Sequence, residues 1–184
     1  MSRSPDEETL AALAVRAVLL MPNGSAEDFA SIYAPDAVNH EAVAEPPECR
    51  GRGPAAFFAT ARWLRTAFAD VTFTVDTVVV DGNVVATFGT MAGRHTGAFT
   101  VWRPDGGLDR VLPATGRTSR VKHAHLMRAR DGLIVEHRAY RDDLGQARQL
   151  GWMPPGPLFI ARSTLATAAL RRCLRSAPSV SSAG

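Results

Sequence analysis

At Asp70 the spacing of apolar residues changes from three-and-four to two. Before it, Leu10, Leu13, Ala17 and Leu20 recur at helical spacing, and Phe57, Ala61, Leu64 and Phe68 form a second stripe. After it, Val71-Thr72-Phe73-Thr74-Val75 alternates apolar and polar, as a half-buried strand does. Helices first and strands afterwards predict an α+β domain in which N-terminal helices wrap one curved antiparallel sheet.

Punctuation refines the layout. Ser4-Pro5-Asp6-Glu7 is a capping box, so the first helix is expected over Pro5–Met21, where Pro22-Asn23-Gly24 stops it. Ser25 with Asp28 starts a short second helix carrying Phe29, Ile32 and Tyr33, which Pro35 ends. A loop rich in Pro, Glu and Gly then leads to Gly53-Pro54 and the third helix. Asp81-Gly82-Asn83 and Asp131-Gly132 are hairpin turns, giving strands Val84–Met91, Val121–Arg130 and Leu133–Arg141 around a long loop over Thr100–Arg120. Pro154-Pro155-Gly156-Pro157 divides a domain over residues 1–157 from a basic extension over 158–184. In that extension Leu158–Leu174 has a weakly amphipathic pattern and Ser176–Gly184 reads as disordered.

The formal charge of +3 misleads about partners. Four arginines (Arg162, Arg171, Arg172, Arg175) and no acid lie beyond Pro157, and removing them leaves −1. A nucleic-acid binder carries its basic stripe on the folded domain, so none is expected as partner. Acids near the start and Arg16 within the run Leu10–Met21 argue against a signal peptide, and no apolar run approaches a membrane span. Cys49 and Cys173 fit no metal or redox spacing. The expectation is a reduced, cytoplasmic protein of enzyme size.

His123 and His125 stand two apart on a strand and face the same way, with Val121 and Met127. An apolar face with two imidazoles reads as a polar patch in a pocket, a pair of metal ligands, or hydrogen-bonded core residues; no third ligand stands nearby in sequence, so no metal is expected. On the last strand, alternation without a bulge puts Ile134, Glu136, Arg138, Tyr140 and Asp142 on one face. Asp142 there is either an acid/base of raised pKa or the cap of a helix over Leu144–Leu150. Nucleophile elbow, phosphate loop and dinucleotide fingerprint are all lacking.

Four stretches in order carry a family likeness: Asp36-Ala37-Val38-Asn39-His40; Gly53-Pro54 through Ala67-Phe68; Gly93-Arg94-His95-Thr96-Gly97; and His125-Leu126-Met127-Arg128 through Asp131-Gly132 to Asp142, continuing into Arg148-Gln149-Leu150-Gly151. On these the chain resembles the SnoaL-like polyketide cyclases, within the nuclear-transport-factor-like superfold. The resemblance implies a cone-shaped α+β barrel and a cofactor-independent intramolecular aldol ring closure on a polyketide ester. It also implies Asp142 as acid/base and His125 beside the substrate, and Trp63, His123, Arg138, His95, His40 and Tyr140 complete the expected substrate-binding set. Family members are usually dimers or tetramers. The long loop before Arg120 and the tail after Pro157 depart from the pattern. Another cofactor-free activity on the same scaffold (isomerase, dehydratase, hydrolase or hydroxylase component) and a non-catalytic ligand carrier are the alternatives.

Overall fold

The computed structural model describes residues 4–176. Ser4 caps α1 (Pro5–Leu19) with the reciprocal Glu7 bond of a capping box, and Ser25 with Asp28 does the same for α2 (Ala26–Ala30). Chain order continues through β1 (Tyr33–Asn39), two short 3-10 turns (Ala42–Ala44 and Pro47–Arg50) and α3 (Pro54–Ala67). Then come β2 (Phe68–Asp81), β3 (Val84–His95), β4 (Phe99–Trp102), β5 (Leu108–Leu112), β6 (Thr118–Arg130) and β7 (Leu133–Arg141). Two helices, α4 (Asp143–Leu150) and α5 (Pro157–Ser176), close the chain.

The expected α+β architecture is present, but the sheet is mixed. Its five strands run β1-β7-β6-β3-β2, curved and unclosed, and β1 pairs parallel to β7 while the other pairs are antiparallel. The stretch from Tyr33, expected to end a helix and enter a loop, is this first strand. Pro35 does not prevent it because β1 lies at the edge, where one row of backbone donors goes unused. The loop over 100–120 contains a second, two-stranded sheet, β4 with β5. The remaining strands begin or end up to three or four residues beyond their expected bounds.

α1 and α3 lie across the inner face of the large sheet. Ala14, Ala17, Val18, Phe57 and Ala61 from the helices join Val85, Met127 and Ile134 from the strands in the main core. Small residues on α1 let it approach closely, and Tyr33 and Phe57 stack with ring centroids 3.8 Å apart. Asp131 and Gly132 both have positive φ, 53° and 76°, the tight turn that joins β6 to β7 with matched twist.

α5 packs against the small sheet. Thr167 Oγ1 accepts from the Val111 amide at 2.8 Å, Ser163 donates to the Val111 carbonyl, and Arg171 donates to the Leu108 and Asp109 carbonyls. Side chains of the helix thus satisfy the free edge of β5, a position otherwise open to another strand. Ser176, expected to open a disordered stretch, belongs to this helix, and the rest of that expectation, 177–184, lies outside the described residues.

Candidate active site

One register irregularity decides what faces the interior. On β6 the odd residues Val121, His123, His125 and Met127 are buried. Directly opposite stand Arg141, Ala139 and His137, paired with His123, His125 and Met127 in turn. One step further, Ala129 pairs with Ile134 and Arg128 with Glu136, so Val135 is an extra residue on β7. This bulge inverts the alternation. His137, Ala139 and Arg141 point inward, whereas Glu136, Arg138, Tyr140 and Asp142 do not share the face of His125.

The inward side chains line a cavity under α1 and α3. Apolar walls come from Val18, Met21, Phe57, Leu64, Phe73, Met91 and Met127; polar groups come from Tyr33, Asn39, Glu41, Glu45, Thr60 and Arg141, besides the three histidines. The imidazoles are linked. His125 Nδ1 lies 2.8 Å from His137 Nε2, and His137 Nδ1 lies 3.3 Å from Asn39 Oδ1. Asn39 Oδ1 also accepts from the Glu41 amide at 3.2 Å, which identifies it as the oxygen.

The tautomers follow. His137 must donate from Nδ1 to that oxygen, so its Nε2 is bare and accepts from His125 Nδ1–H. His125 Nε2 is then left with a lone pair, and it has no hydrogen-bond partner. Burial keeps the chain neutral: it pulls His137 down to about 3 and, with His137, His123 and Arg141 nearby, holds His125 well below its ordinary value. Burial lowers His123 as well, and neither of its ring nitrogens has a partner of good geometry. Buried polar atoms without partners are uncommon, and in a cavity they mark where a ligand's polar groups belong.

Glu45, which had no sequence signal, is 3% exposed in the same cavity. Its Oε2 accepts from Thr60 Oγ1 at 2.6 Å, and burial raises its pKa against the opposing influence of Thr60, Arg141 and Cys49. The Cys49 thiol is pushed up to about 12, also by burial, and stays protonated.

The other expected site residues are dispersed. Asp142 is exposed, is not among the cavity-lining residues, and caps α4 with Oδ1 accepting from the Gly145 amide at 2.8 Å. Trp63 lies outside the cavity, its ring tilted against Phe99 and its Nε1 donating to Thr100 Oγ1 at 3.0 Å along a surface groove with Trp102. Arg138 and Tyr140 lie on the outer sheet face, Tyr140 60% exposed. His40 sits past the end of β1, its Nε2 3.7 Å from Glu136. His95 is fully buried between Phe68 and Trp152, its Nδ1 accepting from the Thr115 amide, and burial takes it to about 4. Of the eight expected residues the structure brings together His123 and His125. Among the described residues no group of three His, Cys, Asp or Glu is arranged to hold a metal ion.

Comparison with known proteins agrees with this architecture. The family model for SnoaL-like polyketide cyclases matches residues 10–150. Aklanonic acid methyl ester cyclase DauD of Streptomyces sp. (strain C5) is 33% identical over 135 residues, 73% of this chain and 76% of its own length. Nogalonic acid methyl ester cyclase of Streptomyces nogalater is 31% identical over 100 residues, 54% of this chain and 67% of its own. Among solved structures, TsrD from Streptomyces laurentii superimposes with a TM-score of 0.64 at 24% identity, over 80% of this chain and 98% of that one.

Proposed function

Because the chain belongs to the SnoaL-like polyketide cyclase family, we propose that its cavity closes a ring in a polyketide methyl ester by an intramolecular aldol addition that uses no cofactor. It is a polyketide cyclase, and the finer reading concerns how it works and on what. The observation that carries it is the set of unpaired imidazole nitrogens, His125 Nε2 and both of His123, inside an apolar cavity.

The chemistry asks little of a protein. A proton flanked by two carbonyls is already acidic, so a positioned base suffices to remove it, and the enolate then attacks a ketone in the same molecule. Apolar walls hold the chain folded with the reacting carbons together and keep water away. Neutral His125, with its lone pair at Nε2, accepts a hydrogen bond from a substrate hydroxyl and so orients the ring system. His123 and Arg141 are the groups suited to donate to the enolate oxygen as charge gathers there. The new alkoxide takes up the proton first removed, so the product has the mass of the substrate.

The protein is expected to act in the cytoplasm on a small molecule, without nucleic acid or membrane, as a homo-oligomer. Among the described residues no helix is long and apolar enough to cross a membrane.

Aklanonic acid methyl ester and nogalonic acid methyl ester, the substrates named for the relatives, are the first to try. With purified protein, one of them should give a product of unchanged mass and altered chromatographic mobility. His125→Ala should lower kcat/KM about 10-fold to 100-fold, the scale of one lost orienting hydrogen bond to a buried group. Absence of any isomeric product from either ester would overturn the reading.

A further inference from the structure

Ring closure needs a proton acceptor in the cavity, and the histidines are poor ones. His125 and His137 are held neutral far below their ordinary range, and His125 Nδ1 and both nitrogens of His137 are spent on the chain to Asn39. Asp142 is exposed and engaged with the α4 amide. Of the two carboxylates that line the cavity, Glu41 is only partly buried, and Glu45 is enclosed.

On the cyclase reading, we infer that Glu45 is the catalytic acid/base, taking the α-proton and returning it to the new alkoxide. Geometry supports this on three counts. Its carboxylate opens on the cavity that holds His123, His125 and Arg141. It is positioned from two sides: Thr60 on α3 donates to Oε2, and Arg50 Nε donates to the Glu45 carbonyl at 2.9 Å. Arg50 in turn reaches the Arg103 carbonyl at 2.8 Å, tying this segment to the β4–β5 hairpin. A side chain locked in this way keeps the distance and direction that proton transfer requires. Desolvation makes the carboxylate a stronger base than one in water, against the hydrogen bonds from Thr60 and Cys49 that steady it. The step balances: the C–H pair becomes the enolate, the proton rides on Glu45, the C–C bond forms, and the alkoxide recovers the proton.

The test compares Glu45→Gln with Asp142→Asn on the ester the wild type closes. Gln keeps the shape and the Thr60 contact but cannot take a proton. Glu45→Gln should lower kcat about 10²- to 10⁴-fold with KM nearly unchanged, and Asp142→Asn should stay within about threefold of wild type. Glu45→Asp should recover part of the rate together with the acid limb of the pH profile. Should Glu45→Gln fold poorly, Thr60→Val serves instead. The lost hydrogen bond raises the Glu45 pKa, so the acid limb of kcat/KM should move to higher pH, which a merely structural Thr60 would not cause. Wild-type turnover in Glu45→Gln, or an unmoved acid limb in Thr60→Val, overturns the assignment and leaves the cyclase reading standing. A wild-type protein that closes neither ester overturns both.

Discussion

Desolvation brings His95 and His137 to about 4 and about 3, and His123 and His125 shift in the same direction. In the unfolded chain each imidazole would take a proton near its ordinary value of about 6.5. Below that pH the unfolded state binds more protons than the folded one, so stability falls as pH falls, by up to about 1.4 kcal/mol per unit for each histidine. Glu45 acts in the opposite sense, since its raised pKa lets the folded state hold a proton that the unfolded state has released, but it is one group against four. Thermal melts in half-unit steps should show a steep fall in Tm between about pH 6.5 and 4.5 and little change from 7 to 8. A flat profile over the acid range would contradict the burial of these four rings. The spacing of His123 and His125 in sequence puts both on one strand face, and the fold turns that face to the cavity. Glu45 carried no such signal, because it sits among prolines between two 3-10 turns where no period exists to reveal a face.

Among the elements, the helices were legible because their ends are chemically marked: Ser4 with Glu7, Ser25 with Asp28, and Pro54 at the start of α3. The bulge at Val135 was not. Both faces of β7 are apolar around it, with Ile134 and Val135 each buried, so no break in pattern shows where alternation slips. That slip exchanged Asp142, Tyr140 and Arg138 for Arg141, Ala139 and His137 at the cavity. α5 offers a test of a different kind. Thr167 is buried, and its hydroxyl is what the Val111 amide finds instead of another strand. Thr167→Val keeps the volume and leaves that amide unpaired, which should cost about 1–3 kcal/mol. Urea denaturation would read this, and hydrogen exchange should localise the loosened protection to β5. Loss of less than about 0.5 kcal/mol would mean the helix only rests on the hairpin.

At the scale of the molecule, the large sheet has a second face that α1 and α3 leave uncovered. Val79, Phe88, Leu126 and Tyr140 are exposed there, at 52%, 47%, 37% and 60%. The pairings place Phe88, Ala124 and Tyr140 in one row across the sheet and Val79, Ala86 and Leu126 in the next. Large apolar side chains in adjoining rows form a patch rather than scattered exceptions, and a second copy of the chain would cover it with the same residues. Sedimentation is expected to give a dimer for the wild type and a monomer for Phe88→Lys with Leu126→Lys, with the fold intact. A monomeric wild type at tens of micromolar would show the patch to be uncovered.

The parallel pairing of β1 with β7 has a consequence for how the chain comes into being. Asn39 is made early and His137 almost a hundred residues later, yet the imidazole chain to His125 depends on their meeting. During synthesis, α1 can settle on β2 and β3 as they emerge, but β1 must wait for its partner strand until β7 has followed. A contact of such sequence separation is slow to find because a long loop must close first. The cavity is therefore complete only once β7 has emerged, and a nascent chain cut short before it lacks His137, Ala139 and Arg141 from the cavity wall.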